Sequence, residues 1–321
     1  MKISNLTIYK KLNSKYKLYR EYDSIFLVDI YKNDFNVIGE EIDYRKLRNL
    51  LYWDSILSFY NKLKKDSNFD LNLFLNNLSD LIVVKPSFSL INFLFNTNNL
   101  NGGYSPFNNL IVINDDISIY HELLHSASSI TNKYRRIAFS GFCQINENIY
   151  GYGLDEGYTQ YLKEKYFGIS YEEIGIYSFE KLVAFKLEEI LTPEIMEKMY
   201  SRGDLLGLIK CLEEYFSYEE IVMFIRRIDY VSDNFSNKSY YNNHQLVIKS
   251  INDICSFLIK GYCLKNKSFN IDNVFEYCFP FMNVTLYNDS CISCLKNEDI
   301  NSIYNETKIK LKQKGGNNLW T

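Results

Sequence analysis

Two of the three histidines in this 321-residue chain fall within one pentapeptide, His121-Glu-Leu-Leu-His125. On an α-helix, side chains four residues apart share a face about 6 Å apart, and two imidazoles at that separation can bind one tetrahedral Zn²⁺ ion. Glu122 follows the first histidine, where its carboxylate can reach a water molecule on the metal rather than the metal itself. The pattern therefore predicts a helix that carries two zinc ligands and a base. The alternative is two helical histidines with unrelated roles.

The residues before the pentapeptide predict a strand that leads into this helix. The apolar tetrad Leu110–Ile113 follows a stretch rich in Asn and Gly, residues 96–109, and predicts a short buried strand fed by a loop or hairpin. An asparagine and two aspartates at 114–116 supply capping side chains and negative charge, which suit a helix N-terminus. We therefore expect a helix from about 116 to 130.

A catalytic zinc site needs a third protein ligand and an open fourth position. The metzincin pattern would require Gly at 128 and His at 131, where this chain has Ser128 and Thr131, so that subclass is excluded. The best candidate is Glu156, on a second predicted helix over 154–167, and its neighbour Gly157 would let this helix approach the first closely. The alternatives for the third ligand are Glu147, Asp155 and Glu164.

The combination of His121-Glu-Leu-Leu-His125 with Leu154-Asp-Glu-Gly-Tyr-Thr159 resembles the gluzincin metallopeptidases, the group that includes thermolysin, the zinc aminopeptidases and some bacterial toxin proteases. The match covers roughly residues 100–167. The resemblance implies a zincin-like catalytic unit with Glu156 as the third zinc ligand. It also implies that the strand Leu110–Ile113 borders the cleft and can pair with an extended substrate.

One position departs from thermolysin. Gln160 stands where an Asp would support the ligand in that enzyme. It lies one helical turn after Glu156, and we predict that it accepts a hydrogen bond from the nitrogen of His121 or His125 that does not bind metal. A solvated glutamine is the alternative.

The tetrahedral intermediate of hydrolysis needs a hydrogen-bond donor besides the metal. Tyr150 and Tyr152 precede the Glu156 helix in a Gly-rich segment, and either hydroxyl could reach over the metal. His244, the remaining histidine, could do the same from the C-terminal part. A surface or capping role is the alternative for His244.

The rest of the chain predicts an α+β fold, with a zincin-like unit followed by a mainly helical C-terminal part. We divide it into an N-terminal α/β region (1–100), a catalytic core (101–168) and a helical region (169–321). The predicted strands are Ser24–Tyr31 and 136–142; the predicted helices cover 44–65, 70–81 and 245–264, with a helical bundle over 171–230, broken at Pro193 and Gly203, and a loop over 232–243.

Composition excludes several classes of protein. Apolar residues make up 46% and charged residues 23%, which argues against intrinsic disorder, and a formal net charge of −3 gives no general attraction for nucleic acid. The chain contains no run of about 18 apolar residues, so no membrane span is predicted. The first 20 residues lack the apolar stretch of a signal peptide, so we expect a cytoplasmic location, with other export routes left open.

The seven cysteines form no framework typical of a small secreted domain, so we expect reduced thiols. The pair Cys291-Ile-Ser-Cys294 has no second such pair, although Cys263 and Cys278 are possible partners in a metal site.

The sequence therefore predicts a zinc-dependent hydrolase that cleaves peptide bonds, with Zn²⁺ as cofactor and a peptide or protein as substrate. The alternatives are an inactive zinc-fold binding or regulatory protein, and a toxin- or effector-type protease that acts on one protein target. The oligomeric state is not predicted.

Overall fold

The computed structural model describes residues 39–43, 51–78, 81–86, 102–107, 109–113, 115–132, 137–146, 148–168, 177–236, 240–267, 269–286 and 290–314. Helices dominate these residues and the strands form small sheets, so the mixed α+β class is confirmed. The chain divides into two compact units, residues 1–139 and 140–321. The predicted strand Ser24–Tyr31 lies outside the described residues, and the three-region division stays a prediction.

The first unit contains a four-stranded sheet in the order β1-β2-β4-β3. Its strands are β1 (Gly39–Asp43), β2 (Ile82–Pro86), β3 (Gly102–Ser105) and β4 (Leu110–Ile113). Strand β4 runs parallel to β2 and antiparallel to β3, with Ile111 opposite Val83 on one side and Tyr104 on the other. All four β4 side chains are buried, as expected for a continuous apolar run in an interior strand. The predicted hairpin and buried strand are confirmed.

The predicted pairing of Leu110–Ile113 with a substrate is wrong. Both edges of β4 already carry a hydrogen-bonded neighbour, β2 on one side and β3 on the other. Its backbone groups are therefore used within the sheet, and among the described strands it is β3 that ends the sheet on this side.

Two helices support the histidine helix in the first unit. They are α1 (Leu51–Asp66) and α2 (Asn72–Leu78), and both contact α3 (Ile119–Ala127). Phe59 of α1 and Phe74 of α2 are fully buried, with ring centroids 5.1 Å apart. The side-chain amide of Asn77 donates to the backbone carbonyls of Ser126 at 2.7 Å and Ser129 at 2.9 Å. The Ser126 carbonyl belongs to the last turn of α3, where carbonyls lack a partner in a following turn of helix, and Ser129 begins the next strand.

The histidine helix is shorter than predicted. A 3₁₀ turn over Asp116–Ser118 precedes it, capped by Asp115, whose carboxylate accepts the Ile117 N–H at 3.1 Å. The helix ends at Ala127 rather than near 130, because the Ser129 hydroxyl donates to the carbonyl of His125 at 2.8 Å and the chain turns into a strand. Serine hydroxyls compete with the backbone in this way at helix ends.

A second sheet has the strand order β5-β6-β7-β8. The strands are β5 (Ser129–Asn132), β6 (Ile137–Ser140), β7 (Cys143–Ile145) and β8 (Ile149–Tyr150). The antiparallel hairpin of β7 and β8 places Gln144 opposite Tyr150. The strand predicted over 136–142 is therefore present as β6.

The second unit is mainly helical, as predicted. Its helices are α4 (Tyr152–Phe167), α5 (Ser178–Leu191), α6 (Pro193–Ser201), α7 (Leu205–Leu212), α8 (Tyr218–Ser236), α9 (Tyr240–Asn266), α10 (Ile271–Met282) and α11 (Asn297–Lys314), with a hairpin of β9 (Val284–Leu286) and β10 (Ser290–Ile292). Pro193 begins α6, and Gly203, with a φ of +60°, separates α6 from α7. Both breaks fall where the sequence predicts them.

The loop predicted over 232–243 is wrong for most of its length. Helix α8 continues to Ser236, and α9 begins at Tyr240. The polar side chains of this stretch are bonded within the unit: the Asn234 amide donates to the Tyr230 carbonyl at 2.8 Å, and Asn234 accepts a bond from Asn243 at 2.8 Å. Polar composition alone therefore misled the prediction.

Among the described helices, none combines the length and the apolar character needed to cross a bilayer. The cysteines whose side chains are described are free, and their redox state stays a prediction. Burial raises the pKa of the Cys263 thiol to about 11 and of the Cys278 thiol to about 12, so both remain protonated near neutral pH.

Candidate metal centre

The two histidines of α3 point their rings at a common position. Their Nε2 atoms lie 3.1 Å apart, with the ring planes inclined at 72°. In a tetrahedral site with zinc–nitrogen bonds of 2.0–2.1 Å, two ligand nitrogens are about 3.3 Å apart. The imidazoles of His121 and His125 therefore have the spacing of two ligands to one ion.

Glu122 is buried beside this pair, with 5% of its surface exposed. A Cβ atom on Gly102 of β3 would lie 3.0 Å from Glu122 Oε1 and 2.7 Å from the Ser118 hydroxyl oxygen. The missing side chain at Gly102 therefore makes room for the Glu122 carboxylate. The sequence signal for this role was the glycine pair at 102 and 103, because glycine inside a strand marks a close approach.

Glu156 of α4 supplies a carboxylate to the same group. The ligand atoms of His121, His125 and Glu156 all lie within 4.8 Å of one another, and these three residues could hold a metal ion. Two histidines and a glutamate are a donor set of catalytic zinc sites. Within the described part of the chain no cysteine belongs to a group of this kind. The side chain of Cys291 lies outside that part, so the site considered for Cys291 and Cys294 with Cys263 and Cys278 stays a prediction.

The alternative third ligands are engaged elsewhere. Asp155 is 2% exposed, and its Oδ1 accepts the N–H of Phe142 at 2.9 Å. Glu164 pairs with Lys181 at 2.8 Å and accepts a bond from the Gln160 amide at 3.0 Å. Neither carboxylate belongs to the metal-binding group, and Glu147 lies outside the described residues. The bond from a histidine ring to Gln160 stays a prediction.

Two glycines allow α4 to pack closely against its neighbours. A Cβ on Gly157 would lie 2.3 Å from the carbonyl oxygen of Glu180 in α5, and one on Gly153 would lie 2.8 Å from the side chain of Ile228 in α8. The closest contact of Gly157 is thus with α5, and its role in the approach to the histidine helix stays a prediction. These contacts restrict the position of the helix that carries Glu156.

Replacing Gly157 with Ala should destabilise the protein by about 1–3 kcal/mol, because the added methyl group overlaps a backbone carbonyl and forces α4 and α5 apart. Urea unfolding followed by circular dichroism measures this. Gly103→Ala is the control, since nothing lies within 4 Å of a Cβ at that position. A Gly157→Ala variant as stable as the wild type would show that α5 can move away at no cost.

A second buried carboxyl lies near Glu156. Glu180 is 3% exposed, and burial raises its pKa to about 7, with a smaller contribution from repulsion by Glu156. Glu156 itself is half-buried, so a second carboxyl lies in a drier environment close to it. Nothing in the sequence distinguished Glu180 from other glutamates on amphipathic helices.

Of the candidate oxyanion donors, His244 is not part of the metal-binding group. Tyr150 is half-buried on β8, and the Tyr152 hydroxyl lies 2.8 Å from the Tyr177 hydroxyl. His244 is exposed on α9, next to Asn243, whose backbone departs from helical geometry. Their proposed roles stay predictions.

Comparisons of the chain with protein-family models, with curated proteins and with solved structures find no match. A functional assignment therefore depends on the motif and the geometry of these side chains.

Proposed function

We propose that this protein is a zinc-dependent metallopeptidase of the gluzincin type. His121, His125 and Glu156 are the metal ligands in this proposal, and Glu122 is the general base. The observation that supports it best is the pair of imidazole nitrogens of His121 and His125, which lie 3.1 Å apart and are grouped with the Glu156 carboxylate. The buried Glu122 directly follows the first of these histidines. A zincin-like fold for residues 101–168 is part of the same proposal.

Zn²⁺ held by these residues would act as a Lewis acid that polarises the scissile carbonyl and acidifies a water molecule. Glu122 takes the proton of the attacking water on a carboxylate oxygen and passes it to the leaving amine. Its packing against Gly102 restricts the rotation of the carboxylate. Because the side chain is buried, charge on it interacts more strongly with the reacting groups than it would in water.

The presence of Glu122 favours hydrolysis over a purely structural metal site. Structural zinc sites are closed by four protein ligands, whereas the group found among the described residues has three. A carboxylate beside an open coordination position of the metal has no function in a structural site. A general base, in contrast, must lie there to reach a water molecule on the metal. The motif determines how the bond is attacked and leaves the substrate open, so cleavage of a single protein target is compatible with it.

We expect about one zinc ion per chain. The measurement is elemental analysis of protein expressed with zinc and then exhaustively desalted. The double variant His121→Ala/His125→Ala is the control and should contain almost no metal. Clearly substoichiometric zinc in the folded wild-type protein would contradict the proposed ligand set.

A random peptide library tests the activity itself. We expect cleavage by the purified protein, its loss with a chelator, and its recovery on adding Zn²⁺. Metal binding without cleavage of any library member or folded protein would favour an inactive binding protein. Cleavage confined to one folded protein would indicate a target-specific protease.

A further inference from the structure

The helix that carries Glu156 begins without a cap of its own. Its N-cap residue is Gly151, which has a φ of +79° and no side chain to accept a hydrogen bond. The first N–H groups of an α-helix have no partner inside the helix, and helices usually satisfy one of them with a Ser, Thr, Asp or Asn at the N-cap. Another part of the chain must therefore supply the acceptor here.

Asp229 of α8 supplies it. Its Oδ2 accepts the Gly151 N–H at 2.8 Å, and its Oδ1 accepts the Gly153 N–H at 3.0 Å. The two oxygens of one carboxylate thus bind the first turn of α4. Asp229 is 78 residues after Gly151 and 76 residues after Gly153 in the chain. The negative charge also lies at the positive end of the α4 dipole, where it is stabilising.

Neighbouring contacts add to the restraint that the two hydrogen bonds to Asp229 place on α4. Gly153 packs against Ile228 and Ser232, which precede and follow Asp229 in α8. Asp155 accepts the Phe142 N–H at 2.9 Å, which ties the same turn to the connection between β6 and β7. The start of α4 is therefore restrained both along its axis and in rotation about it.

Glu156 directly follows this restrained turn. Each residue of an α-helix rotates the side chain by about 100° and advances it by 1.5 Å, so a small slip of α4 moves the Glu156 carboxylate away from its position. Metal sites tolerate displacements of only about 0.5 Å in their ligands.

We propose that Asp229 is a positioning residue that holds Glu156 in register with the metal. The inference rests on the proposed function, in which Glu156 is a ligand. Burial raises the pKa of Asp229 to about 6, against the lowering effect of its two N–H donors, and this agrees with a carboxylate enclosed between helices. Asp229 touches neither metal nor substrate in this proposal.

The test compares Asp229→Asn with Asp204→Asn in the full chain. Asp204 caps α7 in the same unit with one bond, which it accepts from the Gly207 N–H at 2.7 Å. Asparagine at 204 can still accept this bond, whereas asparagine at 229 has one acceptor oxygen for two N–H groups. Zinc affinity is measured by competition with a chromophoric chelator, and the stability of the metal-free protein by urea unfolding.

We expect Asp229→Asn to weaken zinc binding about 10-fold or more, as loss of outer partners of metal ligands does. Asp204→Asn should leave the stability close to that of the wild type and the zinc affinity within about 2-fold, since asparagine caps a helix about as well as aspartate. Equal affinities for Asp229→Asn and the wild type, or an equal loss in both variants, would overturn the positioning role. Should Asp229→Asn fail to fold, Asp229→Glu replaces it, because it keeps the charge but displaces the two oxygens, and unchanged zinc affinity then overturns the inference.

The zinc affinities of the wild type and of Glu156→Gln separate this inference from the proposed function. If the wild type binds no zinc, the proposed function itself fails. If the wild type binds zinc and Glu156→Gln binds it equally well, the ligand assignment fails. If Glu156→Gln loses zinc and Asp229→Asn does not, only the inference about Asp229 fails.

Discussion

Replacing Glu122 with Gln is expected to leave the metal in place and to reduce peptide hydrolysis by about 10²–10⁴-fold, the usual contribution of a general base. Glutamine keeps the size of the side chain in its buried position against Gly102 but cannot take a proton from water. The measurements are kcat/KM for a peptide that the wild type cleaves and zinc content after desalting.

Asp116→Asn is the control for this experiment. It also neutralises an acidic residue just before the histidine helix, but Asp116 is exposed, so both rate and zinc content should match the wild type. Cleavage by Glu122→Gln at close to the wild-type rate would remove Glu122 from the mechanism. Loss of zinc together with activity would indicate that Glu122 affects the metal and not only the water.

The parts of the site that the sequence predicted are those determined by near neighbours. Strand Leu110–Ile113 is a continuous apolar run, and the 3₁₀ turn that leads from it into the histidine helix is capped by an aspartate, Asp115. The helical spacing of His121 and His125 then brings their rings together without help from distant residues. Local propensity and periodicity are sufficient for such features.

The contacts that hold Glu156 in place could not be predicted in the same way. Asp229 looks like any acidic residue on an amphipathic helix, and its partners Gly151 and Gly153 lie far away in the chain. Gly157 was recognised as a point of close approach, but its partner Glu180 was not. A glycine reveals that something approaches, whereas the identity of the neighbour depends on tertiary packing.

Glu156 and Asp155 are adjacent acidic residues, and their replacements should have opposite outcomes. Glu156→Gln removes a charged ligand, so we expect zinc affinity to fall by more than about 100-fold, beyond the 10–100-fold typical of losing an outer partner. Asp155→Asn should change the affinity little, because the asparagine oxygen can still accept the Phe142 N–H that Asp155 Oδ1 accepts now. Competition with a chromophoric chelator measures both affinities.

Each variant serves as the control for the other, since both neutralise one carboxylate on the same turn of α4. A general loss of negative charge would weaken zinc binding in both, whereas a ligand role affects only one. Side chains of consecutive helical residues point about 100° apart, so the two carboxylates cannot both face the ion. If Asp155→Asn lost zinc and Glu156→Gln retained it, the third ligand would be one residue earlier than proposed. The group of His121, His125 and Glu156 would then not be the ligand set.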